Sequence, residues 1–226
     1  MKRTIAAFDF DGTLTCKDTL WAFLKHTHHP VRRIWNMFLV SPVLFLFLMG
    51  LIKNGKAKEK LFARFYKNLP LADFSAFCRS FCPIIDACLR SDIYQKMKQH
   101  QAEGHEVIIV SASIENWIKP WAAKEGIPTV IATQIEISPS GYLTGRFASP
   151  NCYGSEKPRR ILELFPDRAS YTLIAYGNSR GDHEMLRMCE TTALQMPPNE
   201  DDGITNAAER DKCQMPNGTN AAHFPN

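Results

Sequence analysis

Two aspartates two residues apart, Asp9 and Asp11, stand at the end of an apolar run and lead directly into Gly12, Thr13, Leu14 and Thr15. Residues 4–8 read as a strand, and a strand sends successive side chains to opposite faces. Residues two apart therefore share a face, so the two carboxylates can share a pocket where the strand ends, and Gly12 permits the bend that follows. Two carboxylates in one cavity repel, and one stays protonated unless a cation joins them. The chemistry this suggests is a divalent metal, with one carboxylate as nucleophile and the other as proton shuttle. The competing reading is an ordinary turn, which Asp-Gly pairs also mark.

More polar groups stand where later apolar runs end. Residues 107–110 are the continuous β-branched run of a buried parallel strand, and Ser111-Ala112-Ser113 follow. Residues 171–176 read as another strand, leading into Gly177-Asn178-Ser179-Arg180-Gly181-Asp182. Lys157 lies at the start of a helix opened by residues 154–158, with Pro158 near the first turn, where its missing N–H costs nothing. Open parallel sheets gather reactive groups at the carboxyl ends of their strands. Nucleophile, acid/base, hydroxyl, cation and metal ligands are together the parts of a phosphoryl-transfer site. Alone, Ser111 is a common turn residue and Lys157 a common surface lysine; order and position make the case.

The elements that must position these groups fall into two kinds. The chain has 226 residues, 45% of them hydrophobic and 22% charged, which suits one core domain with a sizeable insertion. Its formal charge of +4 favours anionic partners, but basic residues do not gather with aromatics in a nucleic-acid motif. The 7 cysteines are odd in number and contain no C-x-x-C pair, so a reducing cytoplasm is the expected compartment. The apolar stretch after Lys2 and Arg3 ends at Asp9, too short for a secretory leader.

From Asp18 the pattern turns helical: Asp18 and Thr19 can cap, and Leu20, Trp21, Phe23 and Leu24 recur at helical spacing. His26, His28 and His29 read as a helix end. No charge then appears over the 19 residues 34–52, about 28 Å of helix. A single crossing of a bilayer would put the first strand and its successors on opposite sides. The expectation is a hairpin of two short helices broken at Pro42, its apolar surface packed inside a helical domain. The alternative is a membrane interface, with Arg32, Arg33, Lys53, Lys56 and Lys58 facing anionic headgroups.

Residues 56–101 continue helical, with Leu61/Phe65 and Phe62/Tyr66 pairs and a stripe of Phe74, Phe77, Cys78, Phe81, Ile85 and Cys88. Ser91 or Asp92 is expected to cap a further helix ending near Gly104. Beyond it come a helix at 115–124, a strand at 129–132, a hairpin of 135–137 with 143–147, a helix near Asp182 and a fifth strand at 192–195. The division expected is a core of 1–15 and 91–200, a helical insertion of 16–90, and a partly disordered tail of 201–226.

This order resembles the haloacid dehalogenase superfamily: D-x-D-G-T at Asp9 to Thr13, the strand-end Ser111, Lys157 before its helix, and the G-D-x-x-x-D pattern at 177–182. The helical insertion resembles the cap of the phosphoserine-phosphatase-like branch, subfamily IB. The resemblance implies a Rossmann-like parallel-sheet α/β core with an inserted all-helical cap. It implies a phosphatase in which Asp9 attacks phosphorus and Asp11 protonates the leaving oxygen, then activates water. Ser111, backbone N–H groups near Ala112, and Lys157 would hold the phosphoryl oxygens. Mg²⁺ would be bound by Asp9, the Asp11 carbonyl, Asn178 and, directly or through water, Asp182. Asn178 departs from the family pattern, which usually has Asp there. Asp18 takes the place of an acidic residue that contacts substrate in phosphoserine phosphatases. The expected partner is a small phosphate ester, with no nucleic acid. The apolar segment looks more like a lipid-phosphate phosphatase of the phosphatidylglycerophosphatase type, acting at the inner face of the membrane. A non-catalytic phosphate- or membrane-binding adaptor is the remaining alternative.

Overall fold

The structure is a computed structural model, and residues 2–189 are described. Its strands are β1 (Arg3–Phe8), β2 (Glu106–Ile114), β3 (Thr129–Thr133), β4 (Ile135–Ile137), β5 (Leu143–Phe147) and β6 (Tyr171–Tyr176). Four of them form a parallel sheet in the order β3-β2-β1-β6, while β4 and β5 form a separate antiparallel pair. Between β1 and β2 lie α1 (Thr19–Thr27), α2 (Pro30–Leu48), α3 (Asn54–Tyr66), α4 (Leu71–Ser80), α5 (Cys82–Asp86) and α6 (Ser91–Ala102). α7 (Glu115–Lys124), α8 (Glu156–Leu164) and α9 (His183–Arg187) follow. The expected strand at 192–195 and the 201–226 tail lie outside the described residues.

β1 is apolar on both faces because both are covered. Ile5 and Ala7 pack with Ile108, Val110, Leu173 and the α8 residue Ile161. Ala6 and Phe8 face the opposite side, with Trp117 and Trp121 of α7. That is the α/β arrangement read from the sequence, with β1 central and Asp9 leaving the middle of the sheet. β2 is longer than its β-branched run, because pairing with β3 continues through Ser111 and, after an irregularity, Ile114. Tertiary pairing here overrides the weak strand preference of Ser and Ala.

The chain leaves and re-enters the sheet layer side by side. Thr15 bridges Leu89, the Cys16 N–H donates to the Cys88 carbonyl at 2.7 Å, and the Arg90 N–H donates to Leu14 at 2.8 Å. One apolar cluster runs from the helical segment into the sheet layer: Phe23 of α1 stacks on Trp117 of α7 at 4.8 Å and meets Phe74 and Phe81 edge-on. The β4–β5 hairpin belongs to this helical layer too, since Leu143 exchanges backbone hydrogen bonds with Asn68 and Leu69. α6 begins after Arg90, without a side-chain cap from Ser91 or Asp92.

Two expectations about the apolar segment are corrected. It does not break at Pro42: α2 is one helix from Pro30 to Leu48. The carbonyl that Pro42 cannot serve belongs to Phe38, and the Ser41 hydroxyl donates to it at 2.7 Å. The reversal comes later, where Gly50 adopts φ +72° and the N–H groups of Gly50 and Leu51 close onto Phe47 and Leu46. Nor does the segment pack inside. Only Asn36 and Val40 of α2 are buried, whereas Ile34, Phe38 and Leu48 are 68%, 67% and 80% exposed.

Candidate active site

The centre of the site is a buried ion cluster assembled from three separate strand or helix ends. Asp9 follows β1 and still donates its N–H to the Tyr176 carbonyl of β6 at 2.9 Å. The chain then turns through Gly12, whose φ of +77° suits glycine, and a Cβ there would lie 2.7 Å from the Asn178 amide nitrogen. Lys157, in the first turn of α8, is 2% exposed and reaches across to Asp9 Oδ1 at 2.6 Å. Its ammonium also donates to Asp182 Oδ1 at 2.5 Å and to the Val110 carbonyl at 2.9 Å, so all three protons are placed.

Asp182 is held by the loop that follows β6. Its Oδ2 accepts from the Ser179 N–H at 2.9 Å, the Ser179 hydroxyl at 2.7 Å and the Asn178 N–H at 3.2 Å. Gly177 is needed for this approach, since a Cβ there would lie 2.5 Å from Asp182 Cβ. Asn178 donates its amide to the Gly12 carbonyl at 2.9 Å. Thr13 Oγ1 lies 3.0 Å from Asp9 Oδ2 and 3.2 Å from Asn178 Oδ1.

The electrostatics follow from burial against pairing. Burial pushes the Asp9 carboxyl up to about 7; Lys157 opposes this, and Asp182 adds to it. Burial works against the Lys157 charge, but Asp9 and Asp182 outweigh it and hold the ammonium protonated above its ordinary range. Burial also opposes ionisation of Asp182, and Lys157 and Ser179 overcome it, so its carboxyl falls below the usual range. One cation thus faces two carboxylates, and Asp9 is the one left under-compensated. A further cation or a phosphoryl group at Asp9 changes that balance directly.

Asp11 points elsewhere. Its Oδ1 accepts from the Thr19 N–H at 2.8 Å and the Thr19 hydroxyl at 2.6 Å, and Ser113 Oγ donates to its Oδ2. Trp117 Nε1 steadies the Thr19 hydroxyl at 3.2 Å. Asp11 is therefore a carboxylate oriented from α1 and the end of β2, beside the ion cluster rather than in it. Ser111 is buried, and its hydroxyl accepts from the Ser113 N–H at 3.0 Å. The Ala112 carbonyl accepts from Lys58 of α3 at 3.0 Å and from Thr133 at 2.9 Å. Asp18 caps α1, accepting from the Leu20 and Trp21 N–H groups at 2.8 and 3.4 Å. Desolvation and then Asp11 push its carboxyl up, while Lys58 pulls it down.

Sequence reasoning passed over four of these groups. Ser113 and Thr19 orient Asp11, Lys58 brings a cation from the helical layer to β2, and Arg90 donates to the Gly12 carbonyl at 3.4 Å. The Ser-x-Ser alternation at 111–113 was the one available signal, since residues two apart in a strand share a face.

Comparisons with known proteins bear on the family and the fold. The family model for haloacid dehalogenase-like hydrolases matches residues 6–187. Protein CicA of Caulobacter vibrioides is 33% identical over 190 residues, covering 82% of this chain and 83% of its own. A histidinol-phosphatase of Neisseria meningitidis serogroup C is 25% identical, covering 88% and 92%. A Bordetella pertussis protein of unknown function has a fold similar at TM-score 0.70, with 20% identity over 84% of this chain and 88% of its own. A phosphoserine phosphatase, solved as an analogue of its phospho-aspartyl intermediate, matches at TM-score 0.54, with 16% identity and 84% of each chain.

Proposed function

The chain belongs to the haloacid dehalogenase-like hydrolase family, and we propose that this phosphatase hydrolyses small phosphomonoesters through an aspartyl-phosphate on Asp9. The observation that carries the reading is the Lys157 ammonium fixed between Asp9 and Asp182 inside the protein. It holds a carboxylate nucleophile beside a permanent cation, where the charge of a transferring phosphoryl group collects.

Magnesium fits the donor set, because Asp9 Oδ2 and Asn178 Oδ1 are hard oxygens that converge on one hydroxyl, that of Thr13. Asp9, Asn178 and the Asp11 carbonyl would hold it, with Asp182, whose two oxygens already accept from Lys157 and the 178–179 loop, reaching it through water; when bound it offsets phosphoryl charge. The Asp9 carboxylate attacks phosphorus and the ester P–O bond breaks. Asp11, oriented by Thr19 and Ser113, gives its proton to the departing oxygen. It then takes a proton from water, which attacks phosphorus, releases inorganic phosphate and restores Asp9. Ser111 and the backbone at Ala112 are the phosphate-binding groups in this reading, with Asp18 at the substrate end. Phosphate release from an aryl phosphate with magnesium present tests it: Asp9→Asn should lower turnover about a thousandfold or more. Retained turnover in that variant would exclude Asp9 as the nucleophile, and no phosphate release from the unaltered chain would leave the adaptor reading standing.

A second reading concerns the ester. α2 is long and apolar enough to cross a bilayer, yet β1 before it pairs directly with β2 after it, so it cannot cross and leave this sheet intact. Its exposed Trp35, Phe38, Phe45 and Leu48, with Arg32, Arg33, Lys53 and Lys56 at its ends, suit a helix lying in an anionic interface. On this reading the substrate is a lipid phosphate met at the inner membrane face, and the protein is cytoplasmic and peripheral. Flotation with phosphatidylglycerol vesicles, beside phosphate release from lysolipid phosphates, separates it from the soluble-metabolite reading.

A further inference from the structure

Away from Asp9, the turn that joins α6 to β2 brings two imidazoles and a carboxylate together. His100 lies in the last turn of α6; Gly104, at φ +74°, reverses the chain so that His105 folds back. The His105 N–H closes this turn on the His100 carbonyl at 2.9 Å. The two Nδ1 atoms face each other at 2.7 Å, and Glu103 Oε2 lies 3.4 Å from His105 Nδ1. One possible ligand atom from each of the three residues falls within a 4.8 Å cluster.

The surroundings are those of a ligand set. His100 is 8% exposed, and its Nε2 is bonded to the Tyr176 hydroxyl at 2.9 Å. With the Tyr176 hydroxyl accepting from Nε2–H, the Nδ1 lone pair is directed at the cluster, the arrangement outer partners give metal-bound histidines. Tyr176 is itself fixed, stacked on Phe8 at 4.4 Å and 5°. His105 and Glu103 are partly exposed, which leaves an entry path and room for water. Facing Nδ1 atoms satisfy each other only through a single shared proton. A tetrahedral metal would set them roughly 3.3 Å apart at ordinary Zn–N lengths, a small outward movement of the half-exposed His105 ring.

We propose that His100, Glu103 and His105 form a second metal site, for a borderline divalent ion of the zinc class, separate from the Asp9 pocket. Two imidazole nitrogens and one carboxylate oxygen make the three-ligand set, and water completes the tetrahedron. The proton between the rings moves to His105 Nε2 as the ion enters, so both rings stay neutral. The Tyr176 hydroxyl is the outer partner. Because Tyr176 directly precedes the Gly177–Asp182 loop and its ring stacks on the residue before Asp9, the site braces the ends of β1 and β6.

The test is equilibrium dialysis of the tag-free full chain against Zn²⁺ with magnesium in excess, together with Co²⁺ substitution and its visible absorption. One zinc per chain is expected, retained in Asp9→Asn and in His29→Ala. Affinity should fall at least tenfold in His105→Ala, and about tenfold in Tyr176→Phe, which keeps the stacked ring but removes the outer partner. Zinc should raise the unfolding midpoint of the unaltered chain and not that of His105→Ala. Absence of bound zinc, or unchanged affinity in both His105→Ala and Glu103→Gln, would overturn the proposal.

Discussion

The pocket around Asp9 and the outer face of α2 break the same rule in opposite directions. Globular proteins bury apolar groups and leave charges in water. At the pocket, an ammonium and two carboxylates lie inside, each with its hydrogen bonds filled, and no described buried side-chain polar atom lacks a partner. On α2, Trp35 and Phe38 stack on each other in solvent, and Ile34, Phe45 and Leu48 of the same helix are exposed as well. The first departure is compensated within the protein, apart from the carboxylate charge that Asp9 holds in excess of Lys157; the second has no compensation among the described residues. Charges can be satisfied internally because their partners are directional. Apolar surface is satisfied only by being covered, so its exposure points outward, to something the protein meets.

The sharpest way to break the comparison is to remove the compensation in the pocket. Lys157→Met leaves Asp9 and Asp182 buried together without their cation. Truncating one side of a buried ion pair costs about 3–5 kcal/mol, so denaturant unfolding without magnesium should show a loss of that size. A loss below 1 kcal/mol would mean that water, not Lys157, carries the carboxylate charge.

The pocket and the helical layer that carries α2 should also answer acid in opposite directions. In the helical layer, burial and then Arg32 lower the His28 pKa to about 4, with Phe65 and Tyr66 rings against it. The unfolded chain takes that proton near the ordinary ~6.5, so between about pH 6.5 and 4 it binds more protons and the fold loses stability as pH falls. Asp9 has the reverse sign: its raised pKa makes the fold bind more protons between about pH 4 and 7, so its contribution is lost as pH rises through that range. Replacing His28 by Gln should remove roughly 1–3 kcal/mol of acid-induced loss. Equal urea midpoints against pH for the two proteins would contradict the assignment.

What the sequence made legible follows the same division. Asp9, Lys157 and the Asn178–Asp182 loop could be found because each sits at a strand or helix end, where local pattern and motif coincide. Thr19, Lys58 and Arg90 could not, since their roles depend on which elements meet across the fold, and Ser113 was signalled only by its alternation with Ser111. The continuity of α2 was hidden because the Ser41 hydroxyl, a single side-chain bond, serves the Phe38 carbonyl that Pro42 cannot. Its exposure stood only as the alternative to burial, because an apolar run reads either way until the packing shows which side is empty.

A smaller effect concerns the neutral amide in the pocket. Asn178→Asp adds a third carboxylate within reach of Thr13 and Gly12, while Lys157 remains fully engaged. The added charge should lower the magnesium concentration for half-maximal turnover several-fold, on the order of 1 kcal/mol. An unchanged magnesium dependence would remove residue 178 from the ligand set.

The smallest change in stability belongs to the outer face of α2, and it separates covering from packing. Trp35 and Phe38 are 59% and 67% exposed, and the helix is anchored from its other side by Asn36, which accepts from Arg64 of α3 at 3.0 Å, and by Val40. Trp35→Ser with Phe38→Ser should therefore move unfolding by about 0.5 kcal/mol or less and leave hydrolysis of a soluble aryl phosphate unchanged. Each ring that enters a bilayer interface contributes roughly 1.5–3 kcal/mol of transfer, so flotation with anionic vesicles should fall at least tenfold in the same protein. If the double variant unfolds, the face is packed after all. If it floats as before, α2 is not what meets the membrane. Only the combination of unaltered stability, unaltered chemistry and lost flotation fits a helix whose outer side is completed by lipid.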